Sequence, residues 1–204
     1  MKEKYIEDLQ DIKDIMNRSS RFISLSGLSG IAAGIIALAG AYLAYSTVYS
    51  GQDYMGYRHV EITSATLTQL LLIAIGTLVL ALAAGIYFTT RKTKKLNQKV
   101  WDHQTRRLVV NLAIPLVAGG VFCLMMLFKG YIGLVAPLTL IFYGMALVNA
   151  SKYTLNEIRS LGMIEICLGL VATQFIGYGL LWWSLGFGVL HIVYGAIMHF
   201  KYKA

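Results

Sequence analysis

Charge is what this sequence has least of. Asp, Glu, Lys and Arg make up 14% of its 204 residues, against about 25% in a soluble domain. The charges are bunched, and the stretches between the bunches are almost free of them. A charge at the centre of a spanning helix costs about 2.5–3.5 kcal/mol on insertion scales, so charge-free stretches fit lipid as the solvent. Proline is nearly missing, with two residues, and the two cysteines, Cys123 and Cys167, both fall inside apolar runs. Their number and placement suggest neither a disulfide framework nor a thiolate zinc site. Also absent are a Walker A loop, an H-E-x-x-H, a G-x-S-x-G and a dinucleotide fingerprint. The sequence thus offers no catalytic constellation, no metal site and no cofactor site.

What it does have is hydrophobic length: 57% of the residues are hydrophobic. Six apolar runs stand out at about 22–48, 67–90, 108–128, 131–149, 160–181 and 183–200. A bilayer core near 30 Å needs about 20 helical residues, so each run can span. The fold class this predicts is all-α, a polytopic bundle of six spanning helices over 22–204. Residues 1–21 precede it as an amphipathic cytoplasmic helix, with Tyr5, Leu9, Ile12 and Met16 on one face. That segment mixes five acidic residues with its lysines and Arg18, and the run after it exceeds the 7–15 residues or so of a signal-peptide core. The first run is therefore expected to remain as a spanning helix.

The net charge of +8 invites a nucleic-acid reading, which its distribution opposes. Sixteen of the eighteen Lys and Arg fall on one side of the alternating topology, Arg58 and Lys129 being the exceptions. The positive-inside rule then places both termini in the cytoplasm. Tyr49, Tyr54, Tyr57, Tyr131, Trp182 and Trp183 would lie near the outer interface, as aromatic belts do. The basic 91–107 loop, expected to be helical in part, would attract anionic lipid headgroups at about 1 kcal/mol per basic residue.

Small residues are frequent, with twenty glycines. Gly30 and Gly34 form a G-x-x-x-G, which allows close helix approach within a monomer or between copies. Gly27 and Gly34 also match Gly162 and Gly169, and Leu-Ile-Phe-Tyr-Gly (140–144) matches His-Ile-Val-Tyr-Gly (191–195). The matches hint at a parallel repeat of hairpins. The Gly-spaced hairpins resemble those of small six-helix bacterial membrane proteins, a likeness that carries no residue role.

Few residues in the spanning runs can do chemistry. Glu165 is the only acid there. Counted from Arg159 it lies about 9 Å into the membrane, deep enough for a proton or cation site yet shallow enough for a carboxyl reaching headgroup water. His191 and His199 share the sixth run, which argues against a haem held between two helices. With the hairpin turning at Trp182, Glu165 is level with His199 and Gln174 with His191. Glu165 and Gln174 are about half a turn out of phase, so at most one pair meets. Asn111, Asn149, Ser24, Ser26 and Ser29 would add to a cytoplasm-facing polar cavity or simply bond helix to helix. Pro115 is expected to kink the third helix. In the outer loop, about 49–66, His59 and Glu61 lack a third metal ligand.

Two functional expectations follow. The first is a non-enzymatic inner-membrane protein: a partner subunit of another membrane protein, an assembly factor or an oligomeric scaffold. The second is a small transporter or channel, proton-linked through Glu165.

Overall fold

The computed structural model describes residues 26–49, 63–96 and 100–202. The amphipathic helix expected at 1–21, Ser24, and the loop residues Gln52, Asp53, Tyr54, Tyr57, Arg58, His59 and Glu61 lie outside the described residues. No strand occurs among those described. Helix α1 covers Gly27–Tyr49, α2 Ser64–Lys95, α3 His103–Phe128, α4 Ile132–Ala150 and α5 Asn156–Ala172. The last, α6, runs over Gly179–Lys201 and contains a π turn at Ser184–Leu190.

Each boundary has a local cause. Thr63 caps α2 by accepting from the Thr66 amide at 3.2 Å, and Lys92, Lys94 and Lys95 occupy its last turn, where cations suit the helix dipole. Asp102 caps α3 through the Thr105 amide at 2.7 Å. Phe128 ends α3 because Gly130 takes φ 84°. The Gly130 amide then bonds the Leu127 carbonyl and the Tyr131 amide the Met126 carbonyl, which is the Schellman arrangement. The helix continues through Pro115 as one element.

Five of the six helices are long and apolar enough to cross a membrane. The fifth departs from expectation. The apolar run to 181 predicted a long span, but α5 stops at Ala172 after 17 residues, roughly 25 Å. A turn over 173–178, with Gly177 at φ 109°, reverses the chain. The sixth helix consequently begins at Gly179, four residues before the expected start at 183. Composition alone hid this, because Phe175, Ile176 and Tyr178 in the turn are as apolar as the helices around it.

Large apolar side chains face outward: Leu72 is 66% exposed, Ile86 67% and Val117 65%. Such a surface would aggregate in water and is ordinary in lipid. The chain is an integral membrane protein.

The helices pack as α2 on α1, α1 on α6, α4 between α3 and α5, with α6 also meeting α4 and α5. Thus α1, α4, α5 and α6 form the centre, and α2 and α3 flank it. Glycines set the two tightest contacts. A Cβ at Gly144 would lie 2.6 Å from the Gly162 carbonyl oxygen, and one at Gly195 would lie 2.7 Å from that of Gly27. Gly169 abuts Ile141 and the Pro137 carbonyl just as Gly34 abuts Ile192 and the Gly188 carbonyl. The α1–α6 contact therefore repeats the α5–α4 contact, residue for residue. The repeated unit is the helix interface and not a sequential hairpin, since α1 and α6 are the first and last described helices. Gly30 and Gly34 are both used inside the monomer, against His191, Ile192 and Gly195 of α6.

Candidate functional site

Glu165 is the tenth of the 17 residues of α5, and its neighbours fix its depth. A Cβ on Gly186 would lie 2.5 Å from Glu165 Oε2 and 2.5 Å from Leu140 Cδ2. Leu140 is the ninth of 19 residues in α4, and His191, beside Glu165, lies just past the middle of α6. The carboxyl therefore sits near mid-bundle. At 0% exposure it does not snorkel. Helix α5 is short and begins at Asn156, so a count made from Arg159 underestimates how far the side chain lies from the helix start.

Three helices build the surroundings. Glu165 Oε1 lies 3.6 Å from His191 Nδ1. That Nδ1 is 3.0 Å from the Gly186 carbonyl oxygen, which only accepts, so Nδ1 carries the hydrogen and donates. In the neutral imidazole Nε2 is then the acceptor, and the Tyr143 hydroxyl donates to it at 2.7 Å. Glu165 itself is left bare: neither carboxylate oxygen has a hydrogen-bond partner among the described residues. The π turn holds Gly186 and Gly188, both buried, and Gly186 leaves the space that Glu165 fills. Single π turns inside α-helices are rare and are frequent at functional sites.

An aromatic stack leads away from the cluster. The Phe187 ring is stacked on His191 at 5.9 Å and lies 4.9 Å from both Tyr143 and Trp183. Trp183 in turn lines a cleft of about 630 Å³ between α1, α2, α4 and α6, with Gly40, Ala44, Thr77 and Thr139 among its walls. The cleft occupies the end of the bundle that carries residues 130–133 and 176–180. At the opposite end Leu147, Leu155, Ile158, Leu161 and Met198 pack into an apolar cluster, with Tyr143 against it.

No known relative emerges. Neither a protein-family model, nor a curated protein, nor a solved structure matches the chain.

Of the residues singled out in the sequence, Glu165 and His191 come together, and neither expected pairing forms. The midpoint between them is Tyr178, in the observed turn, whereas a reversal at Trp182, four residues later, shifted every depth match by eight residues. Gln174 is exposed in the turn, 3.4 Å from the Thr173 hydroxyl. His199 is near the helix end, edge-on to Phe200. Asn149 donates to the Asn111 carbonyl at 2.8 Å, and the Asn111 amide group donates to the Arg107 carbonyl. These two join α4 to α3, while the Ser29 hydroxyl donates to the Ser26 carbonyl on α1. None of these hydrogen bonds reaches Glu165. Tyr143, Gly186, Phe187 and Trp183 were missed. The repeat that pairs Tyr143 with Tyr194 drew attention to the right segment, without marking its hydroxyl as part of a site.

An ionised carboxylate left bare at this depth is expensive. The group calls for a proton, a cationic ligand or the imidazolium of His191. The chain Glu165–His191–Tyr143 can exchange protons and can hold a cation.

Proposed function

We propose that the protein is a small carrier of a bacterial inner membrane, with both termini in the cytoplasm, that exchanges protons for a small organic cation. The observation that carries the reading is the Glu165 carboxyl, fully buried near mid-bundle without a hydrogen-bond partner among the described residues. One carboxylate cannot hold a proton and a cation at once, which is the elementary condition for exchange. The cleft supports the substrate class. Its walls are apolar apart from residues such as Thr77 and Thr139, and Trp183 offers an aromatic face to a cation. Trp183 in the cleft wall lies 4.9 Å from Phe187, which stacks on His191 at 5.9 Å, so an aromatic contact joins the cleft to the cluster.

The test uses purified protein and tetraphenylphosphonium as the probe. Binding should release protons in weakly buffered solution, and a pH gradient should drive uptake into proteoliposomes. Glu165→Gln should abolish the proton release and the pH dependence of uptake. Unchanged uptake across pH in that variant would falsify the mechanism.

The scaffold reading, with a membrane partner or a second copy, has one observation in its favour. Helix α2 packs chiefly on α1, and Gly76 and Gly85 on it face open space. Native mass spectra at multiples of 22.5 kDa would favour that reading.

A further inference from the structure

At the end of the bundle opposite the cleft, a second cavity opens between the start of α1, the end of α2 and the end of α6. It measures about 270 Å³, and Arg91, Lys92, Lys95 and His199 line it together with Phe88 and Leu28. None of the three acids among the described residues is part of its wall. Each is placed elsewhere: Asp102 caps α3, Glu165 lies near mid-bundle, and Glu157 is bound by Lys201 at 2.6 Å and by the Tyr202 hydroxyl at 3.0 Å. Lys92 Nζ also donates to the Tyr202 carbonyl at 3.3 Å, which ties the end of α2 to the end of α6 across the cavity.

We infer that this cavity binds the phosphate of an anionic membrane lipid. Arg91 and Lys95 are exposed side chains one helical turn apart near the end of α2, able to close on a phosphate from one side. Guanidinium and ammonium groups are the usual phosphate partners, Arg by its paired donors and Lys as a point charge. Helix α1 begins in the cavity wall at Gly27, and the first amides of a helix favour an anion. A lipid fits better than free phosphate because Phe88, Leu28 and Leu96 supply apolar wall at the ends of membrane-crossing helices. Basic pockets between helices at this level suit such headgroups.

The experiment measures phosphatidylglycerol retained by the full chain in native mass spectrometry, with phosphatidylcholine as the neutral comparison. Arg91→Gln with Lys95→Gln should lower phosphatidylglycerol affinity about thirtyfold, equivalent to ~2 kcal/mol for two lost phosphate contacts. Lys94→Gln with Arg106→Gln removes the same charge from exposed positions outside the cavity and should leave affinity within about twofold, given that most such surface attraction is weak. Equal loss in both double variants means diffuse surface attraction and overturns the site. Equal retention of phosphatidylcholine overturns the role of charge. Displacement of the lipid by millimolar inorganic phosphate overturns the lipid as source. Retention that rises when Glu3, Glu7, Asp8, Asp11 and Asp14 are neutralised shows the chain filling its own cavity, and also overturns it.

Discussion

Asp102 Oδ1 accepts from both the amide and the hydroxyl of Thr105 at 2.7 Å, whereas neither oxygen of Glu165 has a partner among the described residues. At Asp102 partial burial alone would raise the carboxyl, and the hydrogen bonds from Thr105 and the Gln104 amide outweigh it. The group is held below its ordinary 3.8. A carboxyl depressed on folding contributes stability that is present above its unfolded value and is lost as pH falls through the folded one. The first turn of α3 should therefore loosen in acid, below about 3.8. Amide exchange at Thr105 and Arg106 reads this directly. Asp102→Ala should weaken the helix start by ~0.5–2 kcal/mol, the usual cost of a lost cap; a pH profile unchanged in Asp102→Asn would contradict the assignment. The single intramembrane acid was visible in the sequence. The partners of Glu165 were not, because a four-residue error in the reversal exchanges His199 for His191, and no local pattern marks Tyr143 or Gly186.

Helix pairs, more than single side chains, hold the centre together. With no water to expel between lipid-facing helices, association depends on close packing, and small residues permit it. Gly144 faces Gly162 as Gly195 faces Gly27, each pair with backbone carbonyls where a Cβ would be. Gly144→Ala and Gly195→Ala should thus each destabilise the bundle, by ~1–3 kcal/mol for a forced methyl. Gly76→Ala, with nothing within 4 Å of its added carbon, should be neutral or slightly stabilising because Ala is the better helix former. Chemical unfolding in mixed micelles would compare the three. Equal losses at Gly76 and Gly144 would remove the interface from the explanation. The matched glycines made this symmetry partly legible beforehand. Sequence order suggested a repeat of hairpins, whereas of the two matched contacts only α4–α5 joins consecutive helices. The α1–α6 pair joins helices remote in sequence, and their proximity is set by the whole bundle's packing.

At the scale of the whole molecule, the two ends of the central four helices differ. The end holding Trp183 and Thr139 opens into the cleft, and between α4, α5 and α6 the end holding Leu161 and Met198 is closed by an apolar cluster. Number and hydrophobicity of the helices were readable from the apolar runs, but which end is open depends on how side chains from four helices meet. A carrier that exchanges protons for a cation has to reverse this asymmetry, opening at Leu161 while the aromatic stack closes over the cleft. With Cys123 and Cys167 replaced by Ala, Thr139→Cys in resting vesicles should react with a membrane-impermeant maleimide from the cleft side, and Leu161→Cys from neither side. Saturating tetraphenylphosphonium with an imposed pH gradient should slow labelling at Thr139→Cys several-fold and expose Leu161→Cys to the other side. The reversal links the carboxyl to both solutions in turn, which a rigid scaffold has no reason to do. If Leu161→Cys stays unreactive under every gradient while the probe is still taken up, the path does not pass between α5 and α6, and Glu165 cannot be the coupling group.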